Sequence, residues 1–411
     1  MIRNGTLHEY IRVGVDYFKV LRKKDRYGIL RTELKKWKKE EIKQDHGQKF
    51  LHEVLKYDDF IIEPNNHNFQ AFNDQFYNLY SMFTHKPKPG DWYWTKVLLE
   101  HIFQEQYEIG LKYLQVLYQH PKQPLPVLVL ISRKRQTGKS TFIDWLMTIF
   151  GPNMVIISPG DLGREFNGSY SRANIIAIEE TLIKKDSIVE KVKTLSTQKT
   201  INANLKGIND FQIPFFGKII MASNNERKFM KIEDEEIRFF IRKIGDPKII
   251  NHQILQEMVK EIPAFLNYLN SLPPIDLTKS RMVFTADELA NDALSRVKNE
   301  SKSWLYKDLF YNFEDVFNNK FIGDEMKATP KEIKQEFYQY NHNVSTSYIR
   351  EVLQDEFKLK KETKNISYKS LCEDMHKTGQ PYTIPRDAII SPDDLMNPEK
   401  VHIYTDEEIP F

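Results

Sequence analysis

The stretch that most constrains this chain is Pro126 to Thr141, PVLVLISRKRQTGKST. Val127 to Ile131 is a short apolar run with branched side chains, which suits a strand buried on both faces. A polar, charged loop follows and closes on Gly138-Lys139-Ser140-Thr141. In the next residues, Phe142 to Met147, apolar positions recur at helical spacing. Strand, loop, GKS and helix in that order predict a phosphate-binding loop. Backbone amides and the dipole at the helix start favour an anion there. Thr137 to Thr141 would then cradle a nucleoside triphosphate. Lys139 would reach its β and γ phosphates, and the Ser140 hydroxyl would hold Mg²⁺. One element of the pattern is missing. The full GxxxxGK[ST] motif has glycine where this chain has Arg133, and glycine is the residue that tolerates positive φ. A surface turn that happens to carry GKS is the competing reading.

The residues downstream bear on that choice. Met154 to Ile157 reads as a strand, and Ile175 to Ile178 as another that ends in Glu179-Glu180. Lys218 to Ala222 is a third, ending in Ser223-Asn224-Asn225. Helices alternate with these strands, which predicts a parallel α/β sheet with its site at the strands' carboxyl ends. Each ending has a task in nucleotide hydrolysis. Glu179 would hold the Mg²⁺ shell, Glu180 would activate the attacking water, and Asn224 would position it. For the acidic pair alone, a solvated helix start is the alternative.

A GKST loop, a strand ending in two acids and a strand ending in SN, in that order, resemble the superfamily 3 helicases. These are AAA+ enzymes of small DNA viruses, phages and plasmids. The chain looks most like the phage and plasmid primase-helicases related to the poxvirus type. The resemblance spans about Tyr10 to Lys361 and is most specific from Pro126 to Arg242. It implies an α/β AAA+ P-loop core with a parallel sheet and hexameric rings with ATP between neighbouring subunits. It also assigns Asn224 as sensor 1 and an arginine finger soon after that strand, with Arg238 favoured over Arg242. The stretch Lys193 to Pro214 is similar to the family's pore hairpin, where Lys206 would track a single strand from the tip and Lys199 is the second candidate. The implied partners are single-stranded and duplex DNA, further copies of the chain, and a separate primase or polymerase, in a bacterial host cytosol. Larger members carry a primase domain. No acidic metal cluster precedes Pro87, so primer synthesis is not expected.

The flanks are less specific. Leu34 to Lys43 reads as an amphipathic helix whose lysines either face water or contact DNA. Trp92 to Tyr118 reads as a helical pair, and Ile249 to Leu272 and Thr285 to Leu309 as further helices. Thr329-Pro330 and Ser345 to Ser347 look like two helix starts followed by a strand pair. That order suggests a winged helix with Arg350 and Lys360 among the residues facing DNA, or a plain helical interaction module. The expected domains are an N-terminal α+β domain over 1–86, the ATPase core with its preceding helices over 87–275, a helical linker over 276–326, a winged-helix-like domain over 327–376 and an acidic tail over 377–411.

Composition sets limits on these readings. A formal net charge of +3 leaves any nucleic-acid surface to local clustering. The single cysteine, Cys372, excludes an internal disulfide and a four-cysteine zinc site. No apolar run is long enough to span a membrane, so no membrane partner is expected.

Overall fold

The computed structural model describes residues 2–3, 6–7, 9–25, 28–73, 75–164, 167–168, 170–179, 186–203, 211–226, 229–233, 236–319, 323–371 and 375–389. The chain folds into two compact units, Met1–Ser301 and Lys302–Phe411.

After a short antiparallel pair, Ile2–Arg3 with Thr6–Leu7, the first unit has a four-stranded sheet made of β1 (Tyr10–Val13), β2 (Asp16–Lys24), β3 (Leu30–Trp37) and β4 (Leu55–Tyr57), in the order β3-β2-β1-β4. Helix α1 (Lys39–His46) lies against it through Ile42, in a cluster with Tyr10. Here the sequence expectation is corrected. Leu34 to Trp37 belong to β3, and the helix starts only at Lys39. Strand β3 pairs with β2 from Tyr17↔Trp37 to Lys24↔Leu30. That long ladder outweighs the modest helical preference of lysine and leucine, and lysines on an edge strand also guard it against further pairing. A smaller sheet follows, in the order β5-β7-β6, from β5 (Asp59–Ile61), β6 (Phe72–Asn73) and β7 (Phe76–Asn78).

Two helices, α2 (Tyr93–Phe103) and α3 (Tyr107–Gln119), lead into the central layer. Its strands are β8 (Val127–Ile131), β9 (Met154–Ile157) and β10 (Ile175–Ile178). Helix α4 (Lys139–Phe150) joins β8 to β9, and α5 (Asp186–Leu195) follows β10. After an antiparallel hairpin of β11 (Thr200–Ala203) and β12 (Phe211–Pro214) come β13 (Lys218–Ser223) and β14 (Phe239–Lys243). Strands β8, β9, β10, β13 and β14 form one parallel sheet in the order β9-β10-β13-β8-β14. Their residues are buried on both faces. Leu128, Leu130, Ile220 and Phe240 pack on one side with α2, α3, α4 and helix α6 (Ile254–Ser271). Val127, Val129, Met221 and Ile241 pack on the other, where α7 (Asp292–Ser301) also contributes. Period-two burial on both faces is why each strand reads as a continuous apolar run.

The second unit has its own core around Leu309, Phe313, Ile333, Ile349 and Tyr382. Helix α8 (Trp304–Asn319) precedes strand β15 (Glu325–Ala328). Helix α9 (Pro330–Phe337) starts at a Thr329 cap that exchanges hydrogen bonds with Glu332, a capping box. Helix α10 (Thr346–Glu351) is capped by the Ser345 side chain and runs on as one π-turn to Glu356. A hairpin of β16 (Ile366–Lys369) and β17 (His376–Gly379) follows. Strand β18 (Tyr382–Pro385) then returns to pair with β15. This last strand had no signal in the sequence. Among the described residues no helix is long and apolar enough to cross a membrane.

Candidate active site

Parallel pairing sets the geometry of the site. Ile131 of β8 lies opposite both Ser223 of β13 and Lys243 of β14, and Ile178 of β10 lies opposite Met221. The residues that follow these strands therefore emerge along one edge of the sheet. There they line a cavity of about 680 Å³ bordered by Arg135 to Thr141, Ile156 to Ser158, Glu179 and Ala222 to Asn224. The structure thus brings together Thr137, Gly138, Lys139, Ser140, Thr141, Glu179 and Asn224. Glu180, the next residue along, lies outside the described residues.

The loop's shape explains how it forms without the expected glycine. Positive φ falls at Gln136 (59°) and Gly138 (90°), and Arg133 is not among the positive-φ residues. The left-handed position is therefore moved along the loop, and Arg133 meets no conformational demand that only glycine could satisfy. At Gly138 the demand is double. Its φ is left-handed, and an added Cβ would lie 3.2 Å from Leu98 Cδ1 of α2. Helix α2 also braces the loop through His101 Nε2, 3.1 Å from the Thr137 carbonyl.

Lys139 is 7% exposed. Its ammonium donates to Thr137 Oγ1 at 3.1 Å and to the Lys134 carbonyl at 3.3 Å. Burial lowers its pKa, and the charge of Glu226 partly opposes that shift. A desolvated ammonium held by neutral oxygens gains more from an arriving phosphate than one already paired to a carboxylate.

Sequence reading missed Glu226. Its Oε1 accepts the Arg133 backbone N–H at 2.9 Å, and its Oε2 pairs with Lys243 Nζ at 3.0 Å. Burial works against its ionised form, but the Arg133 amide and the Lys243 and Arg133 charges hold its carboxyl below the usual range. One carboxylate so ties together the start of the loop, the end of β13 and the end of β14. Its partner amide is 93 positions away. Local spacing carries no trace of such a contact.

The remaining candidates lie elsewhere. Arg238 immediately precedes β14, at the amino end of the sheet, where its Nε pairs with Glu236 at 2.8 Å and its Nη1 donates to the Lys193 carbonyl at 3.3 Å. The length of β14, about 15 Å at the usual rise per residue, separates it from the cavity of its own chain. Arg242 is enclosed, bonded to Glu105 at 2.8 Å and also to Gln106. Lys199 is exposed at the base of the β11–β12 hairpin, while Lys206 lies outside the described residues. In the second unit, Arg350 on α10 and Lys360 beyond it are both exposed.

A family model described as a family of unknown function, DUF5906, matches residues 130–239, from within β8 to the first residue of β14. No curated protein matches the sequence. Among solved structures, the apo structure of the NrS-1 C terminal region (305-718) is similar, with a TM-score of 0.64 at 16% identity over 92% of this chain and 95% of that chain. The A form apo structure of the same region gives a TM-score of 0.62 at 17% identity over 90% of this chain and 94% of that one. The chain shares its fold with the NrS-1 C-terminal region across nearly its whole length.

Proposed function

We propose that this chain is an ATP hydrolase of the superfamily 3 AAA+ type, coupled to DNA unwinding in the replication of a phage, plasmid or other mobile element. The observation that carries this reading is that Lys139, Ser140, Glu179 and Asn224 meet in one cavity at the carboxyl ends of three neighbouring strands. The fold held in common with the NrS-1 C-terminal region supports it.

In this reading the amides at the start of α4 and the Lys139 ammonium bind the β and γ phosphates of ATP. The donor set suits Mg²⁺. Ser140 offers a hydroxyl and Glu179 a carboxylate to the same cavity, and Mg²⁺ takes oxygen ligands while keeping several waters. When bound it would supply positive charge against the phosphates of the nucleotide. Glu180 accepts the proton of the attacking water, which Asn224 orients by hydrogen bonding. Arg238 lies too far away to serve its own cavity, so it completes the site of a second copy of the chain, in a ring proposed to be hexameric. A cation supplied in this way stabilises the charge on the transferring phosphoryl group. Lys206 and Lys199 of the β11–β12 hairpin follow the single strand. The order α8, β15, α9, α10, β16, β17 in the second unit supports a winged-helix reading, with Arg350 and Lys360 on duplex DNA.

The test is strand displacement on forked DNA with Mg²⁺ and ATP, comparing the native chain with Lys139→Ala. The reading expects unwinding by the native chain and none by the variant. Lys139-dependent hydrolysis without strand separation would select an origin-binding initiator instead. A native chain that neither binds nor hydrolyses ATP would refute the assignment.

A further inference from the structure

Gly138 stands where α4 begins, and the peptide that links it to Thr137 can face either of two ways. A peptide is planar, so the Thr137 carbonyl and the Gly138 N–H point in opposite directions. Turning this plane over changes only ψ of Thr137 and φ of Gly138, and glycine accepts φ of either sign. The two orientations differ in what they offer an anion. One presents an N–H donor, the other a carbonyl oxygen that repels phosphate.

The fold holds one of them. His101 Nε2 lies 3.1 Å from the Thr137 carbonyl oxygen. A carbonyl only accepts, so Nε2 carries the proton and donates it. With its carbonyl drawn to α2, this peptide turns the Gly138 N–H away from that helix. On the far side lies the cavity, which Thr137 to Thr141 line and no residue of α2 reaches. The Gly138 N–H has no hydrogen-bond partner among the described residues, whereas the Gly138 carbonyl accepts the Phe142 amide at 2.9 Å. Thr137 is 2% exposed, and its Oγ1 accepts the Lys139 ammonium at 3.1 Å. One residue, gripped by His101, therefore sets both the amide and the resting place of the lysine.

His101 is itself firmly placed. A Cβ on Gly138 would lie 3.2 Å from Leu98 Cδ1 and 3.7 Å from His101 Cδ2, so this face of α2 packs directly on the loop. Leu98 and Ile102, on either side of His101, are buried in the core. At the start of α2 the Trp94 and Thr95 amides donate to Glu261 of α6 at 3.0 and 2.8 Å. Just past its end, Gln104 Nε2 donates to the Lys243 carbonyl of β14 at 3.2 Å. A donor carried on a helix anchored at both ends fixes its acceptor in one geometry.

We propose that His101 is a positioning residue for nucleotide binding, which acts through the Thr137 carbonyl to keep the Gly138 N–H aimed at the phosphates. The inference rests on the ATPase reading. It adds a residue 36 positions before Thr137 that the GKS motif does not specify.

Two probes, ATP and inorganic triphosphate, each with Mg²⁺, displace a fluorescent ATP analogue from the full chain. His101→Phe keeps a ring and removes the donor, whereas His101→Gln keeps an Nε2 donor. The phenylalanine variant should bind both probes about tenfold more weakly, the loss expected for one hydrogen bond to a charged group. Equal loss on both marks a phosphate contact, because triphosphate has neither base nor sugar. Ground state and transition state share that contact, so KM should rise about tenfold while kcat stays within about twofold. The glutamine variant should bind within about threefold of the native chain, since its amide can donate to the same carbonyl. His101→Leu, also without a donor, repeats the test should the phenylalanine variant fail to fold, and a melt without nucleotide reports which of them folds. Loss confined to ATP would assign His101 to the nucleoside, and a glutamine variant as weak as the phenylalanine one would assign it to packing. Either result overturns the proposal, as does native affinity in a folded donor-free variant. Lys139→Ala runs alongside. If it loses binding and His101→Phe does not, this inference alone fails, whereas a native chain that binds neither probe refutes the ATPase reading as well.

Discussion

Lys218 tests whether the burial seen in the structure has its expected thermodynamic effect. The side chain is 2% exposed, at the amino end of β13, and among the described residues donates to the carbonyls of Pro121 and Phe216. Burial lowers its pKa from 10.5 to about 7. The folded value lies below the unfolded one, so between these limits the unfolded chain binds more protons and stability rises with pH. At about 1.4 kcal/mol per pH unit, the lysine costs the fold about 4 kcal/mol at pH 7. Lys218→Met removes that cost and loses two neutral hydrogen bonds of about 1 kcal/mol each. Neither carbonyl is left unpaired, because Asn174 Nδ2 donates to Pro121 O at 2.8 Å and to Phe216 O at 3.2 Å. The variant should therefore be more stable by about 2 kcal/mol at pH 7, with the two curves crossing at about pH 9, where the cost of releasing the proton on folding has fallen to about that of the two lost hydrogen bonds. Urea unfolding from pH 6 to pH 10 measures this difference. A variant less stable at every pH, or a gap that does not change with pH, would refute the reasoning.

Other outcomes can be checked in the same preparations. Glu180→Gln should keep ATP bound while slowing turnover at least a hundredfold, measured by filter binding beside phosphate release, with an estimate of that order for loss of a general base. Mixing Arg238→Ala with Lys139→Ala chains should restore part of the hydrolysis if the two residues serve one shared site, and no recovery after confirmed subunit exchange would place each site within a single chain. Glu226→Ala should weaken nucleotide binding about tenfold, because it frees the Arg133 amide from a charge-assisted hydrogen bond. Arg133→Gly would not restore binding, since glycine gives back flexibility and not the anchor. Fluorescent-nucleotide titration reads both.

The central sheet was legible because its strands are buried on both faces, so each appears as an apolar run ended by its own chemical signature: GKST, EE and SNN. Parallel pairing then carries those endings to one edge, and the order of motifs along the chain foretells their meeting in space. The edge strand β3 was misread because a pattern of leucine and lysine fits a helix or a strand, and only its long ladder with β2 decides between them. Strand β18 was overlooked for the same reason: Tyr382 to Pro385 is too short to declare itself, and its strand character comes from β15, far back in the chain. Glu226 makes a contact between distant segments with no periodicity behind it. The displaced positive φ at Gln136 likewise shows that a motif's glycine can be replaced when a neighbour takes over its conformation.

The pairing of β15 with β18 also affects how the second unit can be handled. Ala328 lies opposite Tyr382, Glu325 lies opposite Pro385, and the Arg386 amide donates to the Asp324 carbonyl at 2.7 Å. Strand β18 thus ends beside the point where the unit's first strand began, like a clasp closing a bracelet. Tyr382 and Ile384 are fully enclosed in the core that the clasp seals. A truncation that stops near residue 376 would leave those positions as a solvent-filled gap and strip β15 of its hydrogen-bonded neighbour. A cut after Ile389 would keep the closure intact, with α8 (Trp304–Asn319) retained because its Leu309 and Phe313 are part of the same core.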